Sequence, residues 1–537
     1  MLKSVENTSI TKGNSKNKYG QYFTPNIVAD FMISLADISK KSAILEPSCG
    51  EGIFLKLLQE KGYDKVTAYE IDPQLATDFN FVKYESFISA DIQKEYDLII
   101  GNPPYIRWKN LEKELKEELA TNYLWNKYFN SLCDYLYIFI LKSIEVLKEN
   151  GQLIFICPEY WMNTTHALGL RNYMAKNGYF EKIYHFNETP IFSNAAVSIV
   201  VFKYVKSKNK SSNIEVVKYY KNKVITLEVL NELQNPSSTS NEIERFQAAH
   251  FEVNKRWLLT NKEVSDTISE FEKKCANNNR KPIDLFGNSQ ETDYHTIGTI
   301  CDIGNGMVSG LDKTFQLNGE VLNVNEKKHS INVIKAKNLS PFTYNDITKY
   351  IFANSIQEES ELKENYPSFY NKLKPVQEKL DKRYQYGRKI NFWEWVFLRN
   401  YNLFNAAKPR IFVPCKERIS NKEYFRFSYV ESGIFPTQDV TALFLKDDVK
   451  ESIYYILAFL NNYRVFNWLK NKGIVKGNIV EFSEKPISSI PFRKINWTDA
   501  FEVKIHQQIS ALTIKYIEEK DTVIINEINE LFNKLLR

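Results

Sequence analysis

The chain has 537 residues, of which 43% are hydrophobic and 25% charged, and a formal net charge of +6. That length is more than one ordinary core fills, so roughly two or three domains are expected. The composition is that of a soluble globular protein, and the charge permits nucleic-acid binding without requiring it. The six cysteines are scattered without metal-like spacing, which predicts a reduced, cytoplasmic protein with no structural metal. Residues 1–20 are polar, so no signal peptide is expected, and the longest apolar stretch, 135–147, is interrupted by Lys142 and too short to span a bilayer.

Behind Pro25, residues Ile27, Val28, Phe31, Met32 and Leu35 recur at helical spacing. From Ala43 onward strand and helix alternate, the pattern of a doubly wound α/β sheet. Seven strands are predicted, over 43–45, 65–71, 87–92, 96–100, 152–157, 182–186 and 197–204. Helices are predicted over 53–61, 73–79, 135–148 and 164–176. A lysine-rich, strand-like run continues to about 230, and the Asn-Pro-Ser-Ser loop at 235–241 marks a domain boundary near 245. The second half opens helical over 246–273, turns polar over 276–295, and then mixes short strands and helices. It contains a dense aromatic run, Tyr384, Tyr386, Phe392, Trp393, Trp395 and Phe397, interleaved with Lys382, Arg383, Arg388, Lys389 and Arg399.

The stretch with most chemistry is Asn102-Pro103-Pro104-Tyr105. Two prolines cannot continue a ladder, so the strand Tyr96-Asp97-Leu98-Ile99-Ile100 must stop at Gly101. The tetrapeptide is then a rigid turn at the carboxyl end of a parallel strand, where open α/β sheets bind ligands. The Asn102 side-chain oxygen and the Pro103 carbonyl are two acceptors, and Tyr105 adds a flat face. That set suits a planar amine such as the exocyclic amino group of a base.

Upstream, Glu46-Pro47-Ser48-Cys49-Gly50-Glu51-Gly52 joins the first strand to the first helix, with Gly50 and Gly52 permitting close approach to a nucleotide-like ligand. Glu70 ends the second strand about 20 residues later, the distance expected for a carboxylate accepting from ribose hydroxyls. Asp91, at the end of the expected third strand, is placed to accept from an adenine amino group. No Gly-Lys-Ser/Thr ending follows the glycines, which argues against a phosphate-cradling loop.

In this order the motifs resemble the N6-adenine DNA methyltransferases of the gamma order, the TaqI methyltransferase family. Gln21-Tyr22-Phe23-Thr24-Pro25 precedes the Glu46 loop, Tyr69-Glu70-Ile71-Asp72, Ala90-Asp91 and Asn102–Tyr105, and Phe192-Ser193-Asn194-Ala195-Ala196-Val197-Ser198 follows. In the second half, Gly306-Met307-Val308-Ser309-Gly310 through Phe315 resembles the opening of that family's recognition domain. The resemblance implies a Rossmann-like, seven-stranded S-adenosylmethionine-dependent methyltransferase domain over 1–245 and a mixed α+β target-recognition domain over 246–537. It implies S-adenosylmethionine held by Thr24, Glu46, Pro47, Ser48, Glu70, Ile71, Asp91 and Ile92, with Cys49 and Gly50 of the same glycine loop. It implies catalysis by Asn102, Pro103, Pro104 and Tyr105, with Phe192 packing on a flipped adenine opposite Tyr105.

The implied activity is site-specific transfer of a methyl group to N6 of adenine in double-stranded DNA, within a restriction-modification or epigenetic system. A monomer is expected, with a separate restriction endonuclease as an admissible partner, since no nuclease cluster is present. A C5-cytosine methyltransferase would need a proline-cysteine pair in the cofactor domain, whereas Pro414-Cys415 lies far outside it. A non-catalytic DNA-specificity subunit and an RNA methyltransferase are the alternatives. The first leaves Asn102–Tyr105 unexplained. Basic residues such as Lys382, Arg383 and Arg388 are expected to make salt-dependent phosphate contacts.

Overall fold

The computed structural model describes residues 23–75, 77–187, 189–192, 198–209, 213–221, 223–276, 295–419, 422–476 and 478–536. Gln21, Tyr22, Ser193 to Val197 and most of the polar run 276–295 therefore lie outside the described residues. The chain forms two compact units, the first ending at Lys262 and the second beginning at Glu263.

The first unit is built on one sheet of nine strands: β1 (Ile44–Glu46), β2 (Val66–Tyr69), β3 (Val82–Lys83), β4 (Tyr96–Gly101), β5 (Leu147–Pro158), β6 (Gly178–His185), β7 (Ile199–Lys206), β8 (Asn213–Tyr219) and β9 (Ile243–Ala249). Their order is β3-β2-β1-β4-β5-β7-β6-β8-β9. Strands β1 to β5 run parallel, and β7 lies antiparallel between β5 and β6. Two strands more than expected are present, because β8 and β9 extend the sheet and β9 crosses the boundary anticipated at 245. Phe246, expected on a helix, instead pairs with Val216.

Both faces of this sheet are covered, as period-two burial requires. Ile99, Leu153 and Phe155 point into one apolar cluster, whose other side comes from α3 (Lys113–Thr121), α4 (Tyr123–Tyr128), α5 (Leu136–Glu145) and α6 (Leu168–Asn177). Leu98, Ile100, Ile154 and Ile156 point the other way, against α1 (Asn26–Ser34), α2 (Ile53–Glu60) and α7 (Leu227–Gln234).

Two expected elements are absent. Residues 87–92 are not a strand: Phe87 and Ile88 are buried, but Ala90 N–H bonds to Ser86 O in a tight turn, and the third strand lies earlier at Val82–Lys83. Residues 73–79 are not a helix, because side chains take over backbone donors. Asp72 Oδ1 accepts from Gln74 N–H and Tyr84 Oη from Thr77 N–H.

The second unit combines three small sheets with helices. Cys301–Asn305, Val440–Leu445, Arg410–Pro414 and Ser428–Val430 form an antiparallel sheet of four. A second sheet joins Gln316–Leu317, Thr348–Ile351, Ser330–Ile334 and Ile434–Pro436, and a third joins Lys416–Arg418, Ile479–Glu481 and Ile474–Lys476. The helices Ile453–Leu460, Ala500–Glu519 and Thr522–Leu535 share a core centred on Tyr455, Phe459 and Phe532. Among the described residues no helix is long and apolar enough to cross a membrane, and no cluster of metal-ligating side chains occurs.

Candidate active site

The strand order reverses between β1 and β4, and at such a switch point the loops leaving the carboxyl ends diverge and open a crevice. The loop after β1 enters α2 through Gly50 and Gly52. Gly50 has φ +53°, and a Cβ there would meet nothing within 4 Å, so the backbone itself faces open space. Glu70, at the end of β2, fixes this loop by accepting from Gly50 N–H at 2.8 Å and from Asp72 N–H at 2.9 Å. Cys49 N–H is bonded in turn to Tyr69 O at 2.9 Å.

These loops wall a cavity lined by Thr24, Glu46, Pro47, Ser48, Cys49, Gly50, Glu70, Ile71, Asn102 and Pro104, all anticipated from the sequence. Phe23, Glu51, Ile53, Phe54, Ser86, Phe87, Leu115, Tyr135 and Phe139 complete it. Asp91 and Ile92 are not brought to the cavity. Asp91 is exposed and accepts from its neighbour Gln93 at 2.6 Å, because the early end of β3 puts Ser86 and Phe87 on the wall instead. The turn carrying them is held by Lys142 on α5, whose ammonium donates to Ile88 O at 2.8 Å and Ala90 O at 2.7 Å. Burial lowers that ammonium's pKa to about 8.

The electrostatics of the cavity are one-sided. Its lining contains three carboxylates, Glu46, Glu51 and Glu70, and no lysine, arginine or histidine. Glu46 is only 1% exposed, and its Oε2 is buried with no hydrogen-bond partner in the structure. Burial first, and the neighbouring Glu70 second, push its carboxyl well above the usual range. Burial also raises Glu70, against the opposing N–H groups of Asp72, Gly50 and Ile71. The Cys49 thiol is raised by burial and by both carboxylates, so it is an inert wall rather than a nucleophile. Such a site fits a ligand that brings positive charge and hydroxyl donors, as a sulfonium nucleoside with a ribose does.

On the lip of this cavity, Asn102 is held from two sides. Its Nδ2 donates to Thr24 Oγ1 at 3.2 Å, and its backbone carbonyl accepts from Ser48 Oγ at 3.3 Å. Pro103 is buried, and Pro104 and Tyr105 are half-buried. Tyr105 packs against both apolar clusters of the sheet. Phe192 is buried in the second of these, which Tyr105 also touches.

The aromatic and basic segment of the second unit is mostly core. Phe392, Trp393 and Trp395 are buried, and the two tryptophan N–H groups donate to Ile356 O and Ile351 O. Arg383, expected to contact phosphate, is instead a buried clamp. Its guanidinium donates to the carbonyls of Leu380, Ser309, Glu394 and Phe392. A planar fork with several donors satisfies buried carbonyls better than any other side chain, which explains the placement.

The model of the Eco57I restriction-modification methylase family matches residues 33–192, which include this cavity and Asn102–Tyr105. Over 521 residues the chain is 45% identical to the Type II methyltransferase M.HindII of Haemophilus influenzae, spanning 97% of this chain and 98% of the relative. It is 43% identical to the Type II methyltransferase M.HincII, also of Haemophilus influenzae, over the same shares. Among solved structures, the Type IIL restriction-modification enzyme MmeI in complex with DNA aligns with a TM-score of 0.58 at 12% identity, over 95% of this chain and 72% of that one, a likeness of fold. The chain belongs to the Type II DNA methyltransferases of restriction-modification systems.

Proposed function

We propose that this methyltransferase moves the methyl group of S-adenosylmethionine to N6 of an adenine flipped out of duplex DNA. In this reading it acts as a monomer, paired with a separate restriction endonuclease. The observation that carries the reading is the orientation of Asn102 on the lip of an acidic cavity. Because Nδ2 donates to Thr24, the oxygen is the acceptor end of that amide.

An exocyclic amine is a poor nucleophile, since its lone pair is delocalised into the ring. Asn102 Oδ1 and the Pro103 carbonyl accept from its two N–H groups and stabilise the positive charge that grows on nitrogen as it attacks. That interaction is stronger in the transition state than in the ground state. Tyr105 supplies an aromatic face for a base that has left the stack, with Phe192 behind it. Glu70 and Glu46 would hold the ribose and the cationic end of the cofactor, and Ser86 and Phe87 replace Asp91 and Ile92 at its base. The cofactor supplies an activated methyl on sulfur, so in-line transfer needs positioning rather than a base. The second unit is assigned target recognition, since the first already contains a complete cofactor and acceptor site.

Single-molecule sequencing of DNA from cells expressing the chain tests this. N6-methyladenine at one recurrent sequence, lost with Asn102→Ala, is expected. Methylcytosine at that sequence, or no modification, would overturn the reading.

A further inference from the structure

Most of the aromatic segment of the second unit is buried, but its tip is not. Tyr384 is 77% exposed and Tyr386 41% exposed, and their rings meet edge to face with centroids 4.7 Å apart. The tip is a tight turn closed by Arg388 N–H on Gln385 O at 3.1 Å. Both corner residues, Tyr386 at φ +54° and Gly387 at φ +73°, are left-handed. Glycine adopts that conformation freely, whereas a bulky side chain is strained in it, and strain of this kind persists where function selects it.

The base of the turn is rigid. Arg383 ties it to four carbonyls, among them Ser309 O at 2.7 Å. Gly310, at φ +82°, makes room for this: a Cβ there would lie 2.8 Å from Arg383 Cδ. Arg388 donates to Val396 O and lies over the Phe397 ring, 5.3 Å from its centroid. Residues 382–389 read Lys-Arg-Tyr-Gln-Tyr-Gly-Arg-Lys, with no acidic side chain. Lys382, Arg388 and Lys389 are exposed; Lys382 pairs with Glu378 one helical turn back.

We infer that the turn at 384–388 is a preformed DNA contact, in which Tyr384 and Tyr386 pack on nucleotide bases and the flanking cations meet phosphates. The inference rests on the proposed action on duplex DNA. Its physical basis is a strained, rigid, exposed aromatic pair in a cationic surround, which suits a polyanion carrying flat rings better than it suits another protein surface. Rigid aromatics lose little conformational freedom on binding, so anchoring by Arg383 serves affinity as well as folding.

The test is fluorescence anisotropy of the full chain with a labelled, mixed-sequence DNA duplex. Tyr384→Ala/Tyr386→Ala should weaken binding by about 10-fold, while the corresponding Phe/Phe variant stays near wild type and cofactor affinity is unchanged in both. Tyr386→Gly should raise the melting temperature, by relieving strain, and still weaken DNA binding. Lys389→Gln should shallow the slope of log K against log salt by about 0.9; it provides the reading if the double variant does not fold. Wild-type protein that binds no duplex would overturn the proposed function as well. Wild-type protein that binds, with Ala/Ala (or, if that is unfolded, Lys389→Gln) indistinguishable from it, would overturn the role of this turn alone.

Discussion

Thr24 Oγ1 accepts from Asn102 Nδ2 at 3.2 Å, across 78 positions of sequence. The contact sets which end of the Asn102 amide faces the acceptor position. Thr24→Val keeps the shape and removes the acceptor, so the amide loses its orienting partner. We expect kcat to fall by about 10-fold, the usual scale for one hydrogen bond, with a smaller change in cofactor affinity. Thr24→Ser should recover most of the rate. Steady-state methyl transfer with the two variants decides it, and equal kcat for Val and wild type would refute the orienting role.

Glu70 accepts backbone N–H groups from both the glycine loop and the Asp72 turn. Its loss therefore removes a ligand acceptor and slackens the loop at once. Glu70→Ala should weaken cofactor binding by roughly 1.5–3 kcal/mol, the scale of a hydrogen bond to a charged group. Isothermal calorimetry with S-adenosylmethionine checks this, and an unchanged dissociation constant would remove Glu70 from the site.

The parts of this site legible in the sequence are those fixed by local stereochemistry. Pro103 and Pro104 end β4, and Gly50 and Gly52 open α2, so the loops at the switch point could be placed before the fold was known. Asp91 failed for a reason of register: Phe87-Ile88 reads as a buried strand, and it is buried, but in a turn. Burial alone does not distinguish the two. The usable signal was Val82, which makes the short β3 earlier and puts Ser86 and Phe87 at its carboxyl end. Arg383 failed because a basic side chain beside aromatics reads the same whether it faces phosphate or buried carbonyls. Only the tertiary position of Ser309 and Phe392 separates them. Strands β8 and β9 were hidden by their lysines and glutamates, which suit strands near the edge of a sheet.

Lys142 acts on the cofactor only through the turn at 86–90, so it is a positioning residue. Lys142→Met should raise KM for the cofactor by on the order of 10-fold, the value of one to two hydrogen bonds, with kcat little changed. The ammonium's lowered pKa gives a second readout. In wild type, KM should climb as pH rises through about 8, when the ammonium loses its charge and its grip on Ile88 O and Ala90 O weakens. The difference between the wild-type and Met profiles should close above that pH. A constant difference across the range would contradict the assignment.

The last prediction concerns the stability that the cavity gives up. Glu46 is fully buried beside Glu70, its Oε2 lacks a partner, and its carboxyl is raised well above the usual range by burial and then by Glu70. The folded, cofactor-free protein therefore holds a proton on Glu46 at pH values where the unfolded chain has lost it. Stability from this group is fully present below the unfolded carboxylate pKa, about 4.3, and is lost as pH rises through the folded value. Glu46→Gln keeps the shape and cannot ionise. Its melting temperature should match wild type near pH 5 and exceed it near pH 8, with each kcal/mol worth about 2–4 °C for a unit of this size. Cofactor affinity should move the other way, because the neutral amide offers nothing to a cation. Adding S-adenosylmethionine should then stabilise wild type more than the Gln variant. Differential scanning fluorimetry at the two pH values, with and without cofactor, measures all of these. A Gln variant that is no more stable than wild type at pH 8 would show that the buried carboxylate carries no cost, and the charge argument for the cavity would fail with it.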